Sequence, residues 1–128
     1  MTGTKSNLLD SSVWLAYIIK NKNIELMESD EIFLLSSLSL FEIKKKFLKD
    51  KIKSDEIAKA IELIKQKSLI IYISNEIAER AAEISVENNL GMADSLIYAT
   101  ALDQNATLIT LDNDFRGLDN INFLDGGD

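Results

Sequence analysis

The chain contains no histidine and no cysteine. Chemistry must therefore rest on carboxylates, hydroxyls, lysine or arginine. A Ser-His-Asp triad, an imidazole base or metal ligand, a thiolate nucleophile, a zinc-thiolate cluster and a disulfide framework are all excluded. Five acids remain as candidates. Asp10 ends "NLLD", Glu42 lies in "LSLFEIKKKFLKD", Asp94 falls at the start of "MADSLIYATALDQN", and Asp112 and Asp114 follow the apolar run of "LITLDNDFRG". Carboxylates gathered in one place repel one another, and their pKa values rise unless a cation answers the charge. An all-oxygen set without imidazole or thiolate selects a hard divalent ion, Mg²⁺ or Mn²⁺.

Whether these acids meet depends on the elements that carry them. "NLLD" (7–10) reads as a short strand, and "SSVWLAYIIK" after it as a helix. "EIFLLSS" (31–37) reads as a second buried strand, followed by a helix with Leu40, Ile43 and Phe47 at helical spacing and lysines on the other face. "KSDEIAKAIELIKQK" predicts a helix with Ser54 as N-cap and Asp55 and Glu56 in its first turn. "LIIYI" (69–73) is a third strand, with Ser74 capping the helix "NEIAERAAEISVENN". Gly91 stands where that helix should end, and a further helix runs through "MADSLIYATALDQN". "TLIT" (107–110) is a fourth strand and "INFL" (121–124) a possible fifth.

Strands alternating with helices predict an α/β fold: a parallel sheet of four to five strands with helices on both faces. No Pro- or Gly-rich linker and no internal repeat divides the sequence, so residues 1–128 are expected to form a single domain. In such sheets the ligand crevice lies beyond the carboxyl ends of the strands, where strand order reverses. Asp10 and Asp112 follow strands directly, and the helices carrying Glu42 and Asp94 begin on that same edge. Each acid also has a plain structural reading. Asp10 can cap a helix, Asp94 can favour a helix dipole, Glu42 can pair with Lys45 or Lys46, and Asp112 can close an Asx turn. One shared site explains all of them at once. Asp103, Asp119, Asp125 and Asp128 read as surface or turn acids.

The net charge of −7 is unevenly spread. Glu42–Lys67 holds nine lysines against five acids, a local +4, and the rest of the chain holds five basic and sixteen acidic residues, a local −11. The lysine run reads as the solvated face of a helix, and also as a strip that can accept a phosphate backbone. Trp14, Phe41, Phe47 and Phe115 read as core. No apolar run approaches the ~20 residues of a membrane span, and the polar start "MTGTKSN" does not resemble a signal peptide, so a cytoplasmic protein is expected.

"LLDSSVWLAY", "SSLSLFEI", "MADSLIYATA" and "LITLDNDFRG" resemble, in order and spacing, the four motifs of the PIN-domain ribonucleases, in particular the small VapC-type toxins of toxin–antitoxin pairs. The resemblance spans nearly the whole chain. It implies Asp10, Glu42, Asp94 and Asp112 as catalytic acids, and the same four with Asp114 as metal-binding candidates. It also implies Ser11 or Ser12 and Thr110 as hydroxyls that support the acids. The activity implied is Mg²⁺- or Mn²⁺-dependent endonucleolytic cleavage of single-stranded RNA, with a homodimer and a cognate antitoxin as partners.

Within the fourth motif, the turn-prone Asn113 and Gly117 predict that the chain bends after Asp112, so that only one of Asp112 and Asp114 aims fully at the metal. Asp112 is the expected ligand, with Asp114 further out or capping the turn. Two other enzyme-like readings fit poorly: a haloacid-dehalogenase-like phosphatase wants an acid where Ser12 stands, and a receiver domain wants one after the third strand. A PIN scaffold that binds RNA or protein without cutting is the alternative of another class.

Overall fold

The computed structural model describes residues 5–124, so Asp125 and Asp128 lie outside the described residues. The elements are β1 (Asn7–Leu9), α1 (Ser11–Lys20), α2 (Ile24–Met27), β2 (Phe33–Ser36), α3 (Ser37–Lys49), α4 (Ser54–Gln66), β3 (Ser68–Ile71), α5 (Asn75–Asn88), α6 (Met92–Asp103), β4 (Thr107–Thr110), a 3₁₀ turn (Asn113–Phe115) and β5 (Ile121–Phe123).

All five strands are parallel, in the order β3-β2-β1-β4-β5. Successive strands move outward from β1 through β2 to β3, and the chain then returns to add β4 and β5 on the other side. The reversal falls between β1 and β4, where Leu8 pairs with Leu108 and Leu9 with Ile109. This is the position where a parallel sheet opens a crevice at its carboxyl edge.

Alternation along the strands sends neighbours into two separate cores. Leu8, Leu34 and Leu108 pack with Ile77, Ala81 and Ile97 of α5 and α6. Leu9, Phe33, Leu35 and Ile109 face the other way, onto Val13, Trp14, Ile43, Phe47 and Ile64 of α1, α3 and α4. Helices therefore cover both faces, as the alternation of elements predicts. No helix among the described residues is long and apolar enough to cross a membrane.

Several local expectations are corrected. β2 is shorter than the apolar run suggests, since Ser36 turns to cap α3 by accepting from the Leu38 amide at 3.2 Å. Ser54 is the first residue of α4, and the N-cap is Lys53, which has no side-chain cap bond. β3 begins at Ser68 and stops at Ile71, before the end of "LIIYI". The C-cap of α5 is Asn89 at φ 52°, a left-handed conformation that Asn tolerates; Gly91 instead precedes α6 as its N-cap. Phe41 is not core: it is 60% exposed, with the Lys45 ammonium 5.6 Å from its ring centroid. Trp14, Phe47 and Phe115 are buried.

Candidate active site

Asp10 follows β1 directly and serves as the N-cap of α1, so the ordinary capping role and a place at the carboxyl edge coincide. It is 5% exposed. Its Oδ1 accepts from the Ser12 amide at 3.1 Å and from the Ser12 hydroxyl, and its Oδ2 accepts from Thr110 Oγ1 at 2.6 Å. Burial pushes the Asp10 carboxyl up and the nearby Asp112 adds to this, while the hydroxyl and amide donors pull the other way.

The same hydroxyls tie the two central strands together beyond their ends. Ser12 Oγ accepts from the Leu111 amide at 3.1 Å, and Thr110 Oγ1 accepts from the Asp112 amide at 2.9 Å. Each hydroxyl thus donates to Asp10 and accepts from the β4 exit, fixing where Asp112 emerges. Sequence pattern alone offers no sign of this bridging use of Ser12.

Glu42 lies in the second turn of α3, half-buried, with Oε1 accepting from Ser11 Oγ at 3.2 Å. Burial pushes its pKa up, Ser11 opposes the shift, and Asp10 and Asp112 raise it further. Asp94 sits in the first turn of α6, where the helix dipole favours a charged carboxylate. Its neighbours outweigh the dipole: burial first, then Asp112, a carboxyl–carboxyl hydrogen bond with Asp114, and the charges of Asp114 and Glu42 raise its pKa from 3.8 to about 7.

The chain does turn after Asp112, into the 3₁₀ segment Asn113–Phe115 pinned by the buried Phe115. The outcome differs from the expectation that this turn leaves one acid in and one out. Asp112 itself caps the turn, its Oδ1 accepting from the Asp114 amide at 2.9 Å. Asp114 is carried back toward α6, so that one carboxylate oxygen each from Asp94, Asp112 and Asp114 lies within 4.8 Å of the others. A tight turn brings residues two apart onto one side as effectively as an extended strand would.

The five acids therefore gather at the carboxyl edge of the sheet: the trio Asp94, Asp112 and Asp114, with Asp10 and Glu42 coupled to it by charge. Ser11, Ser12 and Thr110 each bond directly to an acid. Asp103 and Asp119 are exposed and take no part. The donor set is all oxygen and anionic, and three oxygens are close enough to share one ion, so it fits a hard divalent cation.

The PIN domain family profile matches residues 8–121. No significant match is found among curated protein sequences. Among solved structures, a toxin–antitoxin complex from Klebsiella pneumoniae is similar with a TM-score of 0.78 at 23% identity, over 91% of this chain and 96% of that one. VapBC2 from Rickettsia felis, bound to a DNA fragment of its promoter, gives 0.77 at 24% identity, covering 93% and 98%. VapC20 from Mycobacterium tuberculosis, described as a Sarcin-Ricin loop cleaving toxin, gives 0.68 at 17% identity, covering 86% and 92%. With the family profile matched from β1 to the start of β5, and the five-stranded parallel sheet carrying its acids at the point of strand reversal, the chain belongs to the PIN domain family.

Proposed function

We propose that this PIN domain is a metal-dependent endoribonuclease that cleaves single-stranded RNA and acts as the toxin of a toxin–antitoxin pair. The observation that carries the reading is the meeting of Asp94, Asp112 and Asp114 within 4.8 Å, beside Asp10 and Glu42. Such a cluster is electrostatically costly when bare and becomes favourable around Mg²⁺ or Mn²⁺. The toxin assignment draws on similar structures that are toxin–antitoxin complexes, and the RNA substrate on VapC20's description. A cognate antitoxin, a second copy of this chain and a cytoplasmic setting belong to the same proposal.

Asp94, Asp112 and Asp10 would hold the cation, with Asp114 as a fourth oxygen donor or a partner to Asp94. When bound, the cation acidifies water and neutralises charge developing on phosphate oxygens. The chain's own residues supply placement and proton handling. Ser12 and Thr110 orient both oxygens of Asp10, which cannot rotate without breaking one of them. Ser11 holds Oε1 of Glu42, leaving Oε2 free to take a proton from the attacking water in line with phosphorus. The raised pKa of Glu42 suits a base more than an ordinary exposed glutamate would.

The test is cleavage of varied single-stranded RNAs by the purified protein, with and without Mn²⁺. Cleavage abolished by EDTA and restored by Mn²⁺ is expected. Metal-independent cleavage would remove the cation from the mechanism, and RNA binding without any cleavage would make the protein a non-catalytic PIN scaffold.

A further inference from the structure

The sequence has two arginines, Arg80 in α5 and Arg116 immediately after the 3₁₀ turn that carries Asp114. A long, exposed cation two residues from a pocket of five carboxylates would ordinarily swing across and pair with them. Arg116 does not. Its Nε donates to Asn113 Oδ1 at 3.0 Å, and its guanidinium carbon lies 4.3 Å from the centroid of the Phe123 ring. The described residues give its two terminal nitrogens no hydrogen bond and no ion pair.

The two contacts also fix where the guanidinium sits. Phe123 pairs in register with Thr110, the residue whose hydroxyl donates to Asp10. Arg116 therefore stands over the carboxyl end of β5, one strand away from the acid pocket and on the opposite side of β4 from β1. A planar fork held by a ring and an amide, with terminal N–H groups that no described residue engages, is built to meet a planar or tetrahedral oxyanion. A nucleic-acid strand whose scissile phosphate lies at the acids, their charge offset by a bound cation, presents its next phosphate within reach of that fork.

We propose that Arg116, pinned over Phe123 beside the acid pocket, binds a backbone phosphate of the single-stranded RNA next to the one being cleaved. This rests on the nuclease reading above and adds a substrate contact to it. Arg116 is a positioning residue: it anchors the strand so that the neighbouring phosphodiester lies at the acids. The contact carries no base information, so it acts on every sequence alike.

The experiment compares wild type with Arg116→Gln and Arg116→Lys in cleavage of a labelled RNA. In parallel, binding of a fluorescein-labelled oligouridylate is followed against salt on the Asp94→Asn background. Arg116→Gln is expected to raise KM about tenfold with kcat nearly unchanged, the size of one charge-assisted contact. It should also reduce the salt slope of log K by about 0.7, the single-strand value for one phosphate contact. Arg116→Lys should recover the slope, because it keeps the charge, while recovering only part of the affinity. Mn²⁺ affinity and the circular-dichroism spectrum should stay as in wild type. Unchanged KM and salt slope in Arg116→Gln, with wild type cleaving normally, would overturn the proposal and leave the nuclease standing. Absence of both cleavage by wild type and binding by the Asp94→Asn parent would overturn the two together.

Discussion

The acid pocket at the carboxyl edge and the lysine strip of α3 and α4 carry charge of opposite sign, yet they are built in different ways. The lysines come from one continuous stretch, and those of α3, Lys44, Lys45, Lys46 and Lys49, extend into solvent and are all exposed. Within the strip the ion pair is Lys46 with Asp50, one helical turn apart at 3.3 Å. The acids come from four distant segments and are drawn out of water to differing degrees, and hydroxyls or amides hold Asp10, Glu42 and Asp112 in place. A charge on a helix face is nearly neutral for folding, whereas a half-buried charge among like charges opposes it. Only the second arrangement needs a reason beyond solubility.

That difference is broken most severely by removing one pocket charge. Asp10→Asn and Asp94→Asn keep shape and most hydrogen-bonding capacity, so the fold should survive. Cleavage should fall by at least about 10²-fold, the lower range for loss of a catalytic group. Rates on a labelled RNA, with circular dichroism for the fold, check this. Full activity in both variants would move the active site away from the pocket.

The pocket's cost should itself be measurable through pH. Asp94 ionises at about 7 in the folded chain, above its ordinary 3.8, and Asp10 and Glu42 are shifted in the same direction. The folded state thus binds more protons than the unfolded chain between those values. The contribution of these groups to stability is fully present below the unfolded pKa and is lost as pH rises through the folded one. Without metal, the melting temperature should fall between about pH 4 and pH 7 from this source. Saturating Mn²⁺ binds the ionised acids of the folded state alone, and should raise it by roughly 10 °C near neutral pH. A metal-free melting temperature that climbs steadily across the interval would mean the acids are not mutually destabilising.

The two regions were also unequally legible in the sequence. Element order, the parallel sheet and the edge to which the acids belong follow from apolar runs and from where Asp10 and Asp112 stand relative to them. These are local patterns with a fixed geometric consequence. Phe41 falls outside the core because its position on α3 satisfies helical spacing only loosely, and spacing does not tell which flank a neighbouring helix covers. Gly91 does not end α5 because Asn89 already provides the left-handed residue two positions earlier. The contact of Asp114 with Asp94 depends on how tightly the chain turns after β4 and on where α6 begins, and neither is a property of either segment alone.

Within the pocket, Asp112 and Asp114 offer a finer contrast. Asp112 is half-buried and raises the pKa of Asp10, Glu42 and Asp94, whereas Asp114, exposed, acts on Asp94. An ion at the centre of the acids should therefore depend more on Asp112. Asp112→Asn retains the oxygen that caps the turn, so its loss is mainly one of charge. It should weaken Mn²⁺ binding by tenfold or more, on the order of a lost ligand or its close support, and Asp114→Asn by less. Isothermal titration in the reverse order would make Asp114 the nearer ligand.

The smallest expected effect lies in the strip and tests the other half of the contrast. Lys46 and Asp50 are 50% and 41% exposed as side chains, so water screens their attraction and both lose rotamer freedom when they pair. Replacing Lys46 by Ala also removes a long side chain but leaves no buried partner unpaired, and Ala is the better helix former. The terms nearly cancel. Stability should change by less than about 0.5 kcal/mol, and any loss should fade at high salt. Denaturant titration at low and high ionic strength resolves this. A loss well above about 1 kcal/mol that persists in salt would show that the strip is structurally committed, and that its lysines are set by more than a solvated helix face.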